Sequence, residues 1–168
     1  MIGFGRIGQA VARRAAGFDM TVVAHDPYVP DQRIAELGVQ PLPLEECLRR
    51  ADAVTLHVPG TGGPPLLDAD RLALLKPGAY LVNTARGDLV DEQALADALT
   101  SGRLAGAGLD AFATEPPSGS SLLTAPNVVL TPHMGAFSDD ANAAMGTTVV
   151  RDIARVLRGE PPHNPVTA

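Results

Sequence analysis

Residues 1–8 read MIGFGRIG and place three glycines in the pattern Gly3-x-Gly5-x-x-Gly8. In dinucleotide-binding folds the first glycine of this pattern allows a tight turn, the second lets the backbone approach a pyrophosphate, and the third allows a helix to pack closely on a strand. A glycine-rich turn that binds nothing has a similar composition, so the motif alone is weak evidence. The residues that follow decide between the two interpretations.

The stretch after the glycines favours a binding site. RIGQAVARRAAG at 6–17 has the spacing of an amphipathic helix. Its predicted apolar face consists of Ile7, Val11, Ala12 and Ala15. Because a helix N-terminus exposes unpaired N–H groups, the backbone of Arg6 and Ile7 is predicted to bind a phosphate beside the three glycines.

An acidic residue lies at the distance from the glycines that a dinucleotide-binding site requires. The strand-like run MTVVAHD ends in Asp26, eighteen positions after Gly8, and an acidic residue about 20 positions on is expected to bind the ribose hydroxyls. A carboxylate repels a 2′-phosphate, so Asp26 favours NAD over NADP as the cofactor. The alternative is a simple turn residue before Pro27.

Short apolar runs alternate with helix-like segments along the chain. The runs are MTVVAHD (20–26), ADAVTLHVP (51–59), GAYLVNTA (78–85), LAGAGLDAF (104–112) and NVVLTPH (127–133). Nearly continuous apolar runs are typical of parallel strands covered on both faces. Two later helices are predicted at 91–102 and 138–159, with Asp91 and Ser138 as N-caps. The alternation predicts a doubly wound parallel α/β sheet of the Rossmann type, as a single domain over 1–168 with an extended tail at 160–168.

Composition excludes several partners. The chain has 168 residues, a net charge of −6 and no basic cluster longer than two residues, so neither nucleic acid nor an anionic membrane is expected as a partner. No metal site is predicted. The single cysteine, Cys47, has no internal partner for a disulfide and suits a half-buried position in a short helix. A reducing cytoplasm is the expected compartment.

Three polar residues follow apolar runs, where parallel α/β proteins bind ligands. They are Arg86, Glu115 and His133. Each alone could be an ordinary surface or loop residue. Together, in this order after a dinucleotide loop, they resemble the D-isomer-specific 2-hydroxyacid dehydrogenases. The stretches NTARGDLVDEQAL and TPHMGA carry the resemblance most specifically.

The resemblance implies a role for each of the three. Arg86 would hold the carboxylate of a small 2-hydroxy or 2-oxo acid, since a planar guanidinium matches a carboxylate bidentately. His133 would exchange a proton with the C2 oxygen, and Glu115 would orient its ring. NAD would carry the hydride. Further cofactor contacts implied by the resemblance are Val58, Thr84, Arg86, Asp110, His133 and Gly135.

The chain also departs from the family. Family members have two domains, and this sequence begins inside the first strand of the cofactor domain. A shortened first strand is expected to cost stability and to leave backbone groups of its neighbours exposed. Poor activity is expected of this part alone, because a substrate domain would normally close over the cofactor. The family resemblance implies a homodimer, and the apolar face of the last helix could promote association.

The substrate and one alternative function stay open. The stretch EPPHNPV near the end resembles glyoxylate and hydroxypyruvate reductases and some phosphoglycerate dehydrogenases. A regulatory or dimerisation module that binds NAD without catalysis is the alternative to an enzyme. A formate dehydrogenase shares the fold, but it carries glutamine at the position that matches Glu115.

Overall fold

The structure is a computed structural model and describes residues 1–165. The described chain divides into two compact units, residues 1–133 and the part that begins at Met134. Residues 166–168 of the predicted tail lie outside the described residues, and the prediction of one domain over 1–168 stays a prediction.

The elements follow the predicted alternation. The strands are β1 (Val23–Ala24), β2 (Gln40–Pro41), β3 (Ala53–Leu56), β4 (Ala79–Asn83), β5 (Leu104–Leu109) and β6 (Val128–Leu130). The helices are α1 (Arg6–Ala16), α2 (Asp31–Ala35), α3 (Leu44–Arg50), α4 (Ala69–Leu74), α5 (Glu92–Thr100) and α6 (Asp139–Leu157). The five apolar runs each contain a strand, whereas β2, α2 and α4 were not predicted. Cys47 lies in the short helix α3 as expected, but it is fully buried rather than half-buried.

Residues 1–3 occupy the centre of the parallel arrangement. Strands β3, β4, β5 and β6 pair in that order, and β1 pairs with β2. Ile2 forms parallel bridges with both His25 and Leu56 and so joins the two groups of strands. This order is that of a doubly wound fold, and the predicted fold class is confirmed.

The expectation of exposed backbone groups beside this short first strand is wrong. The N–H of Ile2 donates to the carbonyl of Thr55 at 2.9 Å, and the carbonyl of Ile2 accepts from His57 at 2.7 Å. On the other side, Gly3 donates to His25 at 2.8 Å and His25 donates to Met1 at 3.0 Å. A few residues are enough here because a parallel strand bonds alternately to its two neighbours.

The main core lies between the sheet and the helices α3, α4 and α5. On β4, Ala79, Leu81 and Asn83 are buried, whereas Tyr80 is 54% exposed. The expectation that the strands are covered on both faces is therefore wrong for β4. On α1, Ala12 is buried as predicted. Ile7 was predicted on the same buried face, but it is 67% exposed, so that prediction is wrong. Ile7 lies in the first turn, beside the glycine loop.

The second unit contains α6. Ser138 caps it, since its hydroxyl accepts the N–H of Ala141 at 3.1 Å. Asp152 accepts the N–H groups of His163 at 2.9 Å and Asn164 at 3.0 Å, which holds the following segment against the helix. Many apolar side chains of α6 are exposed, namely Met145, Val149, Val150, Ile153, Val156 and Leu157. Within residues 1–165, none of the helices combines the length and apolar character needed to cross a membrane.

Candidate functional site

The glycine loop is crowded at two of its glycines and open at the third. Gly3 has φ +92°, and a Cβ there would lie 2.5 Å from the carbonyl oxygen of His57. A Cβ on Gly8 would lie 2.3 Å from the carbonyl oxygen of Gly3. A Cβ on Gly5 would meet nothing within 4 Å and would occupy open space at the start of α1. Gly3 and Gly8 are thus required by packing, and Gly5 leaves room for a ligand.

The N-terminus of α1 has no side-chain cap. Gly5 is the N-cap and no side chain caps the helix, and the first turn holds no acidic residue. Arg6 and Ile7 are exposed there. Uncapped N–H groups and the positive end of the helix dipole attract a phosphate. The open space at Gly5 and the uncapped helix fit the pyrophosphate of a dinucleotide.

Asp26 is held firmly beside this loop. Its Oδ2 accepts the N–H of Phe4 at 2.7 Å, and its Oδ1 accepts the N–H groups of Tyr28 at 2.8 Å and Val29 at 3.1 Å. An ionised carboxylate has about four acceptor positions, so capacity remains for ribose hydroxyls. Asp26 also lines an open cavity of about 480 Å³, together with Tyr28 and Pro41.

Arg86 is presented by a turn that Asn83 fixes. Asn83 ends β4 and is fully buried. Its Nδ2 donates to the carbonyl of Arg86 at 2.8 Å, and its Oδ1 accepts the N–H of Ala85 at 3.1 Å. The guanidinium of Arg86 donates to the carbonyl of Ala85 at 2.7 Å and is otherwise on the surface. The backbone of this turn is therefore fixed, while the guanidinium is accessible to a ligand.

Gly87 brings the Arg86 turn against the segment that follows β5. A Cβ on Gly87 would lie 1.8 Å from the carbonyl carbon of Phe112 and 2.3 Å from the nitrogen of Ala113. Any larger residue would push the two segments apart. Because Glu115 follows three residues after Phe112, this contact places the Arg86 turn beside the loop that carries Glu115.

Glu115 and His133 form a close pair. The Nδ1 of His133 lies 2.9 Å from both carboxylate oxygens of Glu115. The Oε1 of Glu115 also accepts the N–H of Phe112 at 3.1 Å. Two hydrogen bonds lower the pKa of Glu115. The larger effect comes from His133 and the smaller one from the backbone N–H of Phe112. His133 has φ +51°, a left-handed conformation that is uncommon for a residue with a side chain and is often found at functional sites.

Asp110 is buried directly after β5. It is 4% exposed, and its Oδ1 accepts the hydroxyl of Thr131 at 2.5 Å. Thr131 follows β6 and donates its own N–H to the carbonyl of Leu109 at 3.0 Å. Asp110 and His133 are therefore joined through Thr131, which lies next to both strand ends.

The other predicted contacts lie in three places. Thr84 is exposed directly after β4. Val58 follows β3, and its Cγ1 would lie 2.9 Å from a Cβ on Gly3. Gly135 belongs to the second unit, two residues beyond His133. Among the described residues, no group of three or more histidine, cysteine or acidic side chains could hold a metal ion.

Sequence reasoning missed three residues of this site. Asn83, Gly87 and Thr131 were not singled out. A signal existed for each: Asn83 and Thr131 are polar residues at the ends of apolar runs, and Gly87 follows the predicted arginine. Their partners could not be read from the sequence, since these lie on other segments.

Comparisons with known proteins point to one family. A family model described as "D-isomer specific 2-hydroxyacid dehydrogenase, NAD binding domain" matches residues 1–135. D-3-phosphoglycerate dehydrogenase of Mycobacterium tuberculosis is 49% identical over 161 residues, which are 95% of this chain and 30% of that protein. Glyoxylate reductase of Pyrococcus furiosus is 47% identical over 163 residues, which are 96% of this chain and 48% of that protein.

A solved structure is similar over nearly the whole chain. D-lactate dehydrogenase with NAD+ from Lactobacillus jensenii superposes with a TM-score of 0.88 at 30% identity, and the match covers 99% of this chain and 54% of that one. The chain thus spans between about a third and about a half of the length of these relatives.

Proposed function

We propose, since this chain belongs to the D-isomer specific 2-hydroxyacid dehydrogenase family through its NAD binding domain, that it is the cofactor-binding and catalytic part of an NAD-dependent oxidoreductase. The reaction moves a hydride between NAD(H) and a small D-2-hydroxy acid or the matching 2-oxo acid. The observation that carries the proposal is the 2.9 Å pair of His133 and Glu115 beside the turn that presents Arg86.

His133 is the proposed acid and base. Its Nδ1 faces the carboxylate of Glu115, so this nitrogen carries the proton that is donated to Glu115, and Nε2 is the nitrogen that meets the substrate. In the reducing direction, Nε2 gives its proton to the C2 oxygen, and in the oxidising direction it takes that proton back. Glu115 orients the ring and balances the charge of the imidazolium.

Arg86 is the proposed holder of the substrate carboxylate. Its guanidinium is accessible, and the amide of Asn83 fixes the backbone on which it stands. A planar guanidinium can bind a carboxylate through two parallel hydrogen bonds, which also orients C2. These two bonds select 2-hydroxy and 2-oxo acids over neutral alcohols and ketones.

The cofactor contacts are proposed as follows. The glycine loop and the N–H groups of Arg6 and Ile7 bind the pyrophosphate, and Asp26 binds the adenosine ribose hydroxyls. Bound NAD supplies the hydride chemistry at its nicotinamide ring. The remaining proposed contacts around that ring and its ribose are Val58, Thr84, Arg86, Asp110, His133 and Gly135.

We propose D-3-phosphoglycerate and glyoxylate with its hydroxymethyl analogue hydroxypyruvate as the substrates to test first. The relatives at 49% and 47% identity are named for phosphoglycerate and glyoxylate. The match covers 30% of the former and 48% of the latter. Low turnover is expected of the 168 residues alone.

A chimaera tests this function directly. In it, this chain replaces the matched 161 residues of the Mycobacterium tuberculosis relative. We expect NADH-dependent reduction of a 2-oxo acid or NAD-dependent oxidation of D-3-phosphoglycerate, with Arg86→Ala and His133→Ala each losing at least about a hundredfold in kcat/KM. The 168-residue chain by itself is expected to bind NADH in a calorimetric titration. NADH binding by the chain together with a chimaera that never turns over would favour the regulatory module instead.

We also propose that the chain forms a homodimer in a reducing compartment such as the cytoplasm. The exposed apolar side chains of α6, including Val149, Ile153 and Leu157, support association. The single cysteine, Cys47, is buried and forms no disulfide within the described residues, which suits that compartment. Light scattering at micromolar concentration should give the mass of a dimer, and a monomeric mass would contradict the assembly.

A further inference from the structure

We propose that Thr131 is a positioning residue whose hydroxyl holds the carboxylate of Asp110 while its main chain holds the turn that presents His133. The inference rests on the proposed function, in which Asp110 lies near the nicotinamide and His133 exchanges the proton. Thr131 itself touches neither substrate nor cofactor in this proposal and acts through these two residues.

The strand register brings Thr131 to Asp110. β5 and β6 are parallel, with Leu109 opposite Leu130, so the next residue on each strand comes to the same edge of the sheet. The N–H of Thr131 donates to the carbonyl of Leu109 at 3.0 Å, which continues the ladder by one residue. The hydroxyl of Thr131 then points along the edge and donates to Oδ1 of Asp110 at 2.5 Å.

The carboxylate of Asp110 is buried, so hydrogen-bond donors such as the Thr131 hydroxyl stabilise it. It is 4% exposed, and a buried carboxylate is costly unless hydrogen bonds compensate for the lost water. A hydrogen bond to a charged group is stronger than one between neutral groups. The hydroxyl of Thr131 therefore helps to compensate for the burial of the Asp110 carboxylate and helps to orient it.

The main chain of Thr131 reaches the other half of the site. Its carbonyl accepts the N–H of His133 at 3.0 Å across Pro132. His133 is left-handed at φ +51°, and such a backbone persists only where its surroundings hold it. Thr131 anchors His133 from the main chain, and Glu115 anchors it from the ring.

Three variants separate positioning from simple stability. Thr131→Val keeps the β-branched shape and removes the hydroxyl, whereas Thr131→Ser keeps the hydroxyl. Thr124→Val is the matched control, because the Thr124 hydroxyl is exposed and, within residues 1–165, bonds only to the carbonyl of Ser121, at 3.3 Å. We expect Thr131→Val to weaken NADH binding by roughly tenfold in a calorimetric titration of the 168-residue chain. Thr131→Ser and Thr124→Val should bind NADH like the unchanged chain.

A double-mutant cycle tests whether Thr131 acts through Asp110. Asp110→Asn, Thr131→Val and the double variant are compared with the unchanged chain for NADH affinity and for thermal unfolding. If the two residues act together, Thr131→Val has little further effect on NADH affinity once Asp110→Asn is present. Additive losses, or a lower unfolding temperature with unchanged NADH affinity, would overturn the inference.

A readout without cofactor keeps the two proposals apart. In the cofactor-free chain, the side-chain carboxyl carbon of Asp110 is followed by carbon NMR. We expect Thr131→Val to shift this resonance, because the variant removes the hydroxyl that donates to Oδ1 of Asp110. Thr124→Val should leave it unchanged. If the unchanged chain fails to bind NADH, the proposed function fails, while a shifted Asp110 resonance still supports the positioning of Asp110 by Thr131 and an unshifted one refutes it.

Discussion

The imidazole Nδ1 of His133 lies 2.9 Å from each carboxylate oxygen of Glu115. The two residues are separated by eighteen positions in the chain, and His133 comes close to Glu115 because it lies just after β6. Both side chains are partly exposed, so the pair is accessible to solvent and to a ligand. This relationship gives the first prediction, which concerns pH.

His133→Ala should raise the pKa of Glu115. The hydrogen bond from His133 is the main cause that lowers this pKa below its ordinary value of 4.5, with the N–H of Phe112 second. Because the folded pKa is the lower one, the ionised carboxylate stabilises the fold above pH 4.5, and this contribution is lost as the pH falls through the lowered pKa. Carbon NMR of the Glu115 carboxyl measures the change, with His163→Ala as the control. An identical titration in both variants would contradict the prediction.

Gly87→Ala should destabilise the fold. A Cβ there would lie 1.8 Å from the carbonyl carbon of Phe112, so the two segments must separate, at a cost of about 2 kcal/mol or more in the free energy of unfolding. Gly108→Ala is the matched control, since a Cβ on Gly108 meets nothing within 4 Å. Urea unfolding measures both. Equal stability of the two variants would show that the Arg86 turn does not depend on this close approach.

Gly5→Ala should separate binding from stability. Its Cβ enters open space, so the free energy of unfolding should fall by no more than about 1 kcal/mol, the cost of alanine in place of glycine at an N-cap. The methyl group would nevertheless occupy the proposed path of the pyrophosphate, and NADH affinity should fall at least about tenfold. Gly3→Ala should instead destabilise the fold, because of its positive φ and the carbonyl of His57. Calorimetry and thermal unfolding on both variants check the contrast. NADH binding by Gly5→Ala at full affinity would place the pyrophosphate elsewhere.

Asp26→Asn should shift the preference between the two nicotinamide cofactors. Loss of the negative charge removes the repulsion of a 2′-phosphate, so the ratio of the Kd for NADPH to that for NADH should fall at least about tenfold. The fold should also lose about 1–3 kcal/mol, since the carboxylate accepts three backbone N–H groups. Asp31→Asn, at an exposed position of the same cavity, is the control. An unchanged ratio in Asp26→Asn would exclude contact between Asp26 and the ribose.

Local patterns predicted much of the fold. Asp91 and Ser138 cap their helices as expected, and their side chains accept the N–H groups of Ala94 at 3.0 Å and Ala141 at 3.1 Å. A cap is local, because its partner lies three residues along the chain. The five apolar runs were likewise sufficient to place the longer strands. A strand buried in a parallel sheet needs apolar side chains along its length, and this leaves a run that can be read from the sequence. β2 has two residues and leaves no such run, so it was missed.

The family and the polar residues of the site also came from the sequence. Gly3, Asp26, Arg86, Glu115 and His133 stand in an order that specific stretches make recognisable. The family is confirmed by the match over residues 1–135, and the roles of individual residues stay predictions. The apolar patterns wrongly predicted that both faces of β4 and the side chain of Ile7 are buried. An apolar residue in the sequence does not show whether another element packs against it.

The sequence by itself determined the parallel α/β class, the dinucleotide loop and the identity of the polar residues, because each of these depends on neighbours within a few positions. Only the tertiary structure decided the contacts that assemble the site. Ile2 bridges two strands, Gly87 presses against Phe112, and Thr131 holds Asp110. Each of these contacts joins segments more than twenty residues apart. Their partners are set by strand order and register, which depend on the packing of the whole sheet rather than on any local pattern.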